Sequence, residues 1–301
     1  MSNNNIIKGV FLVALGATSY GMLATFVKLA YKEYFTTAEV TSSQFILGII
    51  GILIINLFQR TKNKNTAVKA TPKNIMHLML AGTSLGMTSV FYYLAVKHIP
   101  VSIGIVLLMQ TVWMGVLLEW FLDKKAPSAQ KIISVIIVLI GTALAINIFK
   151  IDFNDPTIDW SNGLFWGLLA AASFTTTMFT ANKVALGISS AQRSLYMLLG
   201  GAVIVFGFSL YTQVTPFNFE IFTKWGIVLA LFGTIIPPML LNAGFPHTGI
   251  GLGSIVSSLE LPVSVMMAYF LLNEQVLLIQ WIGIVLIITA IVIMNIQIKK
   301  K

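Results

Sequence analysis

The sequence predicts an all-α integral membrane protein of ten transmembrane helices, arranged as two inverted five-helix repeats. Three observations carry this: an apolar composition, a succession of helix-length apolar runs, and a likeness between the two halves. Of 301 residues, 57% are hydrophobic and 10% charged, against about 25% charged in soluble domains. A bilayer core about 30 Å thick takes about 20 apolar residues per helix. Runs of that kind centre within residues 7–28, 38–58, 75–96, 100–122, 130–149, 163–184, 192–212, 225–246, 250–272 and 277–297. The longest stretches between them, 59–73 and 150–162, are too short for a soluble catalytic domain.

The first run is too long for a signal peptide, is preceded by a single lysine, and has a counterpart later in the chain. The connections set orientation. With the N-terminus cytoplasmic, fourteen of the nineteen Lys and Arg fall inside, among them Lys8, the five from Arg60 to Lys73, Arg193 and Lys299 to Lys301. The positive-inside rule then puts both termini in the cytoplasm of a multi-pass protein of the inner membrane. The formal charge of +9 is shared between the two sides and forms no patch for nucleic acid. The chain has no cysteine, which excludes disulfides and thiolate chemistry.

Residues 9–29 written above 163–183 pair Gly9 with Gly163, Ser19 with Ser173 and Tyr20 with Phe174. Residues 104–123 above 254–273 pair Ile105 with Ile255, Gln110 with Glu260 and Asp123 with Asn273. The halves divide at 150/151. Because each holds five helices, an odd number, the second enters the membrane in the opposite sense. Inverted repeats recur in secondary transporters, with the site near the midplane between the halves.

Polar residues inside apolar runs are the candidate site. Glu260 lies mid-membrane, where an acidic residue costs about 2.5–3.5 kcal/mol. It is read as a ligand for a substrate amine or as a proton carrier, with a permanent interhelical hydrogen bond as the alternative. Pro262 deprives Ser258 of its helical donor, which leaves a free carbonyl beside Glu260, and the Ser257 and Ser258 hydroxyls add polarity. Pro237 and Pro238 free the carbonyls of Gly233 and Thr234 in the same way, and either break could instead only bend a helix for packing. Gln110, equivalent to Glu260, converges with it if the halves face each other; otherwise it makes an isolated interhelical bond. Tyr20, Tyr92, Tyr93, Trp113 and Asn242 are candidates to line the cavity, with ring faces and hydroxyls suited to amines. Lys28 and Lys183, near-equivalent at helix ends, are read as snorkelling or gating residues. Glu119 is expected to pair with nearby lysines such as Lys124 and Lys125.

GATSYGMLATFVKLAY at 16–31, the run 88–130 and SSLELPVSVMMAYFLLNEQVLLIQWIGIVLIITAIVIMN at 257–295 resemble the EamA-type carriers of the drug/metabolite transporter superfamily. The last matches the family's C-terminal pattern through Pro262, Glu274, Gln280 and Gly283, although Leu261 separates Glu260 from the proline. The resemblance implies the ten-helix fold and transport by alternating access, with export as the direction. Few cations lie away from helix ends, so phosphates are poorly matched. Amino acids or related amines are the favoured small-molecule substrates, and protons join them as partners if flux is coupled. No cofactor is expected. Gly249, Gly251 and Gly253 lack the lysine of a phosphate loop and are read as close packing. His77, His98 and His247 are too scattered for a metal site. Carboxylate pairs and nucleophile triads are missing, so an enzyme ranks below a carrier. A non-transporting membrane subunit or sensor is the other alternative.

Overall fold

The computed structural model describes residues 3–62, 68–153, 155, 156 and 158–295. Lys64 and Lys299 to Lys301, counted in the charge bias, lie outside the described residues. All regular structure among the described residues is helical. Among the described residues eight helical stretches are long and apolar enough to cross a membrane, and Ala129–Ala145 is a ninth, shorter apolar helix.

In chain order, α1 is Asn3–Lys32, α2 Thr37–Lys62, α3 Pro72–His98, α4 Val101–Leu108, α5 Thr111–Asp123 and α6 Ala129–Ala145. The second half holds α7 (Trp160–Lys183), α8 (Ser190–Thr212), α9 (Ile227–Ala230), α10 (Ile236–Ser257), α11 (Glu260–Leu272) and α12 (Leu278–Asn295).

Short polar side chains start these helices by taking up the orphan N–H groups of the first turn. Thr36 and Glu39 form a reciprocal box: Thr36 N donates to Glu39 Oε2 at 2.8 Å, and Glu39 N donates to Thr36 Oγ1 at 3.2 Å. Thr71, Ser128 and Ser189 cap α3, α6 and α8. Asp159 caps α7, and hydrogen bonds from the Asn162 side chain and backbone hold its carboxyl below the usual range.

The run expected as one helix over 100–122 is two pieces, α4 and α5, broken at Met109–Gln110. Its repeat partner breaks at Ser258–Leu259, between α10 and α11. The expected free carbonyl of Ser258 is not free: Leu261 N donates to it at 3.2 Å in a tighter turn. Before Pro237 and Pro238 the chain widens into a π-helical turn, Leu231–Ile235, with Ile236 N–H bonded to Leu231 O. This wide turn absorbs the helical disruption of the prolines without opening the helix. The sharper break is Gly249, at φ 76° and ψ 174° three residues after Pro246. A continuous helix over Phe222–Leu272 would be about 75 Å long at 1.5 Å per residue, more than twice a bilayer core. Gly249 divides it.

Packing pairs elements across the halves: α1 lies on α10 as α3 lies on α7, and α1 touches α11 as α7 touches α4. Helices α6 and α12 pack together. Small residues permit the close approaches. A Cβ at Gly82 or Gly200 would strike the Met197 and Met79 carbonyls respectively, so α3 and α8 meet backbone to backbone. Gly283, in the C-terminal pattern, sits against Gly141 and Ala145 of α6 for the same reason. Large side chains such as Phe11, Phe58 and Leu210 point outward, as a protein solvated by lipid requires.

Candidate functional site

The centre of the bundle holds a cavity of about 170 Å³. Its walls come from α1, α2, α3, α4, the π-helical turn before α10, and the start of α11. Glu260 is the first residue of α11, just past the break at Ser258–Leu259, so its carboxyl stands at a place where two helices part. It makes no hydrogen bond or ion pair with another described residue. Tyr20 of α1 and Tyr92 of α3 lie within electrostatic reach of it. The rings of Tyr92 and Tyr93 meet at 5.9 Å and 66°, and the Tyr93 hydroxyl lies against that of Tyr31. A carboxyl surrounded by aromatic faces and hydroxyls suits a cation carrying N–H donors.

Gln44 of α2 completes this wall. Gly233 makes room for its amide, since a Cβ there would overlap it. The Gln44 side chain has no hydrogen bond to another described residue, and Thr88, Ser89 and Ser264 add hydroxyls to the cavity. The sequence reading missed Gln44, although Thr41-Ser42-Ser43-Gln44 is a polar run within an apolar helix. Helix α2 thus contributes to the wall through Gln44 and Phe45.

Of the expected site residues, Glu260, Tyr20, Tyr92 and Tyr93 share this cavity. Gln110, Trp113, Ser258 and Asn242 stand elsewhere. The Gln110 amide donates to Val106 O at 3.0 Å and accepts from Trp113 Nε1 at 2.8 Å, so both side chains serve the α4–α5 break. Ser258 Oγ donates to Ile255 O at 2.6 Å within its own helix. The expected convergence of Gln110 with Glu260 is therefore not seen. Asn242 is buried and lines a separate small void.

The cavity adjoins a vestibule of about 310 Å³, sharing Ala24, Ile105, Leu261 and Ser264 with it. At the vestibule's mouth Lys28 pairs with Glu274. Both side chains are about half exposed, which limits such a pair to about 0–1 kcal/mol. Gln280 holds the rim, donating to Ala145 O at 2.9 Å and accepting from Leu277 N at 3.0 Å.

The opposite end, where α1 begins and α12 ends, is crossed by ion pairs and hydrogen bonds between helices. Glu119 pairs with Lys131 of α6 rather than with Lys124 or Lys125, and its carboxylate covers Gly249 and Gly251. Those glycines thus serve a helix break and a carboxylate seat, beyond simple helix packing. Lys183 pairs with Asp123 at 3.4 Å, and Asn182 Nδ2 donates to Phe245 O at 2.6 Å. Arg193 is only 2% exposed. Its guanidinium donates to the carbonyls of Thr180, Ala181, Val184 and Asn242, tying the end of α7 to α10. Sequence alone read Arg193 as an interfacial charge; burial is tolerated because its donors meet carbonyls at the end of α7 and the Asn242 carbonyl, which Pro246 leaves without a helical donor. Among the described residues no group of three His, Asp or Glu could hold a metal.

The profile of the EamA-like transporter family matches residues 7–147 and 161–296, one match in each half. A solved structure titled "Crystal structure of protein" is similar in fold, with a TM-score of 0.77 at 13% identity, over 96% of this chain and 97% of that one. No curated protein matches the sequence.

Proposed function

Because the chain belongs to the EamA-like transporter family, we propose that it is a secondary carrier that exports amines or amino acids by alternating access. Ten crossings fit the helices if α4 and α5 form one, α6 spans as a short helix, and Gly249 divides Phe222–Leu272 into two. They group into halves at 1–150 and 151–301, inserted in opposite senses, with both termini in the cytoplasm of a bacterial-type inner membrane. Lys28–Glu274 and Lys183–Asp123 are ion pairs at opposite ends of the path and act as its gates, with the proline-bearing segments at Pro237, Pro238 and Pro262 as flexing points.

The observation that carries this reading is the carboxyl of Glu260, without a hydrogen bond or ion pair to another described residue, in an aromatic-walled cavity inside a membrane bundle. An acid is costly there, and a substrate ammonium or a proton offsets the cost. The two compete for one site, which gives amine–proton antiport: protonation of Glu260 displaces the amine and its loss of the proton readmits one. Gln44, Thr88 and Ser89 supply neutral groups for a substrate carboxylate. Catalysis has no role in this account.

The test is uptake of labelled phenethylamine by proteoliposomes of the purified protein under an imposed pH gradient. Wild-type protein speeds its gradient-driven accumulation above the passive rate in protein-free liposomes. Glu260→Gln loses a charge-assisted hydrogen bond of about 1.5–3 kcal/mol, so uptake at low substrate falls about 10- to 100-fold. A wild-type rate in Glu260→Gln sinks the assignment, and flux indifferent to the gradient sinks antiport.

A further inference from the structure

Behind Tyr20 lies a void of about 20 Å³, room for a single water. Four residues of α7 line it, Phe174, Thr177, Met178 and Ala181, together with Met197 of α8 and Asn242 of α10. Much of its wall is the repeat image of part of the central cavity's wall. The alignment that pairs Gly9 with Gly163 carries Tyr20, Leu23, Ala24 and Val27 onto those same four α7 residues. Superposing the capping residues Thr36 and Ser189 carries Gln44 onto Met197. The alignment that pairs Gln110 with Glu260 carries Tyr92 onto Asn242. One cavity is open and its image has collapsed.

The collapsed image keeps an unsatisfied polar group. Asn242 is 3% exposed, and its Nδ2 donates to Ser194 Oγ at 2.8 Å, while its Oδ1 has no hydrogen-bond partner among the described residues. A buried acceptor without a donor is rare and costly in native proteins. Tyr20 lines both spaces and packs edge-to-face on Phe174, its own repeat image, at 6.1 Å and 80°. The two rings form the partition between them.

We propose that the void is the closed form of a second amine subsite, opened toward the end bearing the termini when the halves exchange conformations, with Asn242 Oδ1 accepting an ammonium N–H. The inference rests on the carrier reading above. Where the central cavity offers the Glu260 carboxylate, the residues lining the void carry no charge, and the image position, Gln110, is an amide outside it. The second subsite's own acceptors are therefore neutral, and hydrogen bonds to neutral acceptors are about half as strong as charge-assisted ones. The subsite holds ammonium more weakly than the Glu260 cavity does.

The chain has no cysteine, so single-cysteine variants report without background. Val27→Cys and Ala181→Cys occupy repeat-related positions in the two cavities. In proteoliposomes treated with a charged, membrane-impermeant methanethiosulfonate, Val27→Cys reacts only from the face bearing Lys28, and Ala181→Cys only from the opposite face. Ala181→Cys inert from both faces, while Val27→Cys reacts, overturns the second subsite. Phenethylammonium protects Ala181→Cys, and adding Asn242→Asp lowers the half-protecting concentration about tenfold, the effect of one strengthened hydrogen bond. Unchanged protection overturns the role of Asn242. Opposite-face labelling without phenethylamine uptake removes the carrier reading and keeps the second cavity; uptake with an inert Ala181→Cys does the reverse.

Discussion

Glu260 was legible in the sequence because a lone acid in an apolar run conflicts with its solvent. Its neighbours were legible only in part. Tyr92 and Tyr93 sit at adjacent helical positions, and both reach the cavity because they flank its edge. Gln110 and Trp113 looked equally promising, yet at one-turn spacing they satisfy each other, a local solution that composition does not reveal. Gln44 was obscured because a glutamine beside hydroxyl residues reads as helix glue. Its side chain is buried and without a hydrogen-bond partner among the described residues, so a substrate donor or acceptor is its natural partner. Gln44→Leu is expected to raise the half-saturating phenylalanine concentration about three- to tenfold in proteoliposome uptake, the worth of one hydrogen bond of about 0.5–1.5 kcal/mol, while phenethylamine is little affected. An equal loss for both solutes would place Gln44 outside the contact to the substrate carboxylate.

Helices were readable at the level of spans and less so at their breaks. Proline marks a position where a helix loses a bond, but not how the chain repairs it: Leu261 N and the π-helical turn before Pro237 do so here. The break at Met109–Gln110 has no proline or glycine in it, and in the alignment of Gln110 with Glu260 it falls one residue from the break at Ser258–Leu259. Gly249 carries the largest backbone constraint, in a region of φ and ψ open essentially to glycine alone. Gly249→Ala is expected to cost on the order of 1–3 kcal/mol, seen as a lower unfolding temperature in detergent. Gly200→Val is expected to be harsher, since the added carbon meets the Met79 carbonyl and the α3–α8 contact must separate. Wild-type thermal stability in either variant would contradict the packing described.

At the scale of the whole molecule, the two halves are alike in sequence but unlike in state. A central cavity joins a vestibule at the Lys28 end, while Arg193, Glu119–Lys131 and Lys183–Asp123 close the other. The repeat was readable because Gly9, Tyr20 and Gln110 have counterparts; the asymmetry was not, because alike sequences can hold unlike packing. Arg193→Met is expected to loosen the closed end and increase thiol labelling there at Ala181→Cys several-fold, with labelling from the Lys28 end reduced. The central claim is that one end opens as the other closes around an amine. Spin labels at Lys32→Cys with Leu277→Cys report one end, and at Lys125→Cys with Leu186→Cys the other, by pulsed electron-electron distance measurement. On adding phenethylammonium, the account predicts a population in which the first distance shortens and the second lengthens together. Distances that stay fixed at both ends, or that change in the same sense, would contradict it.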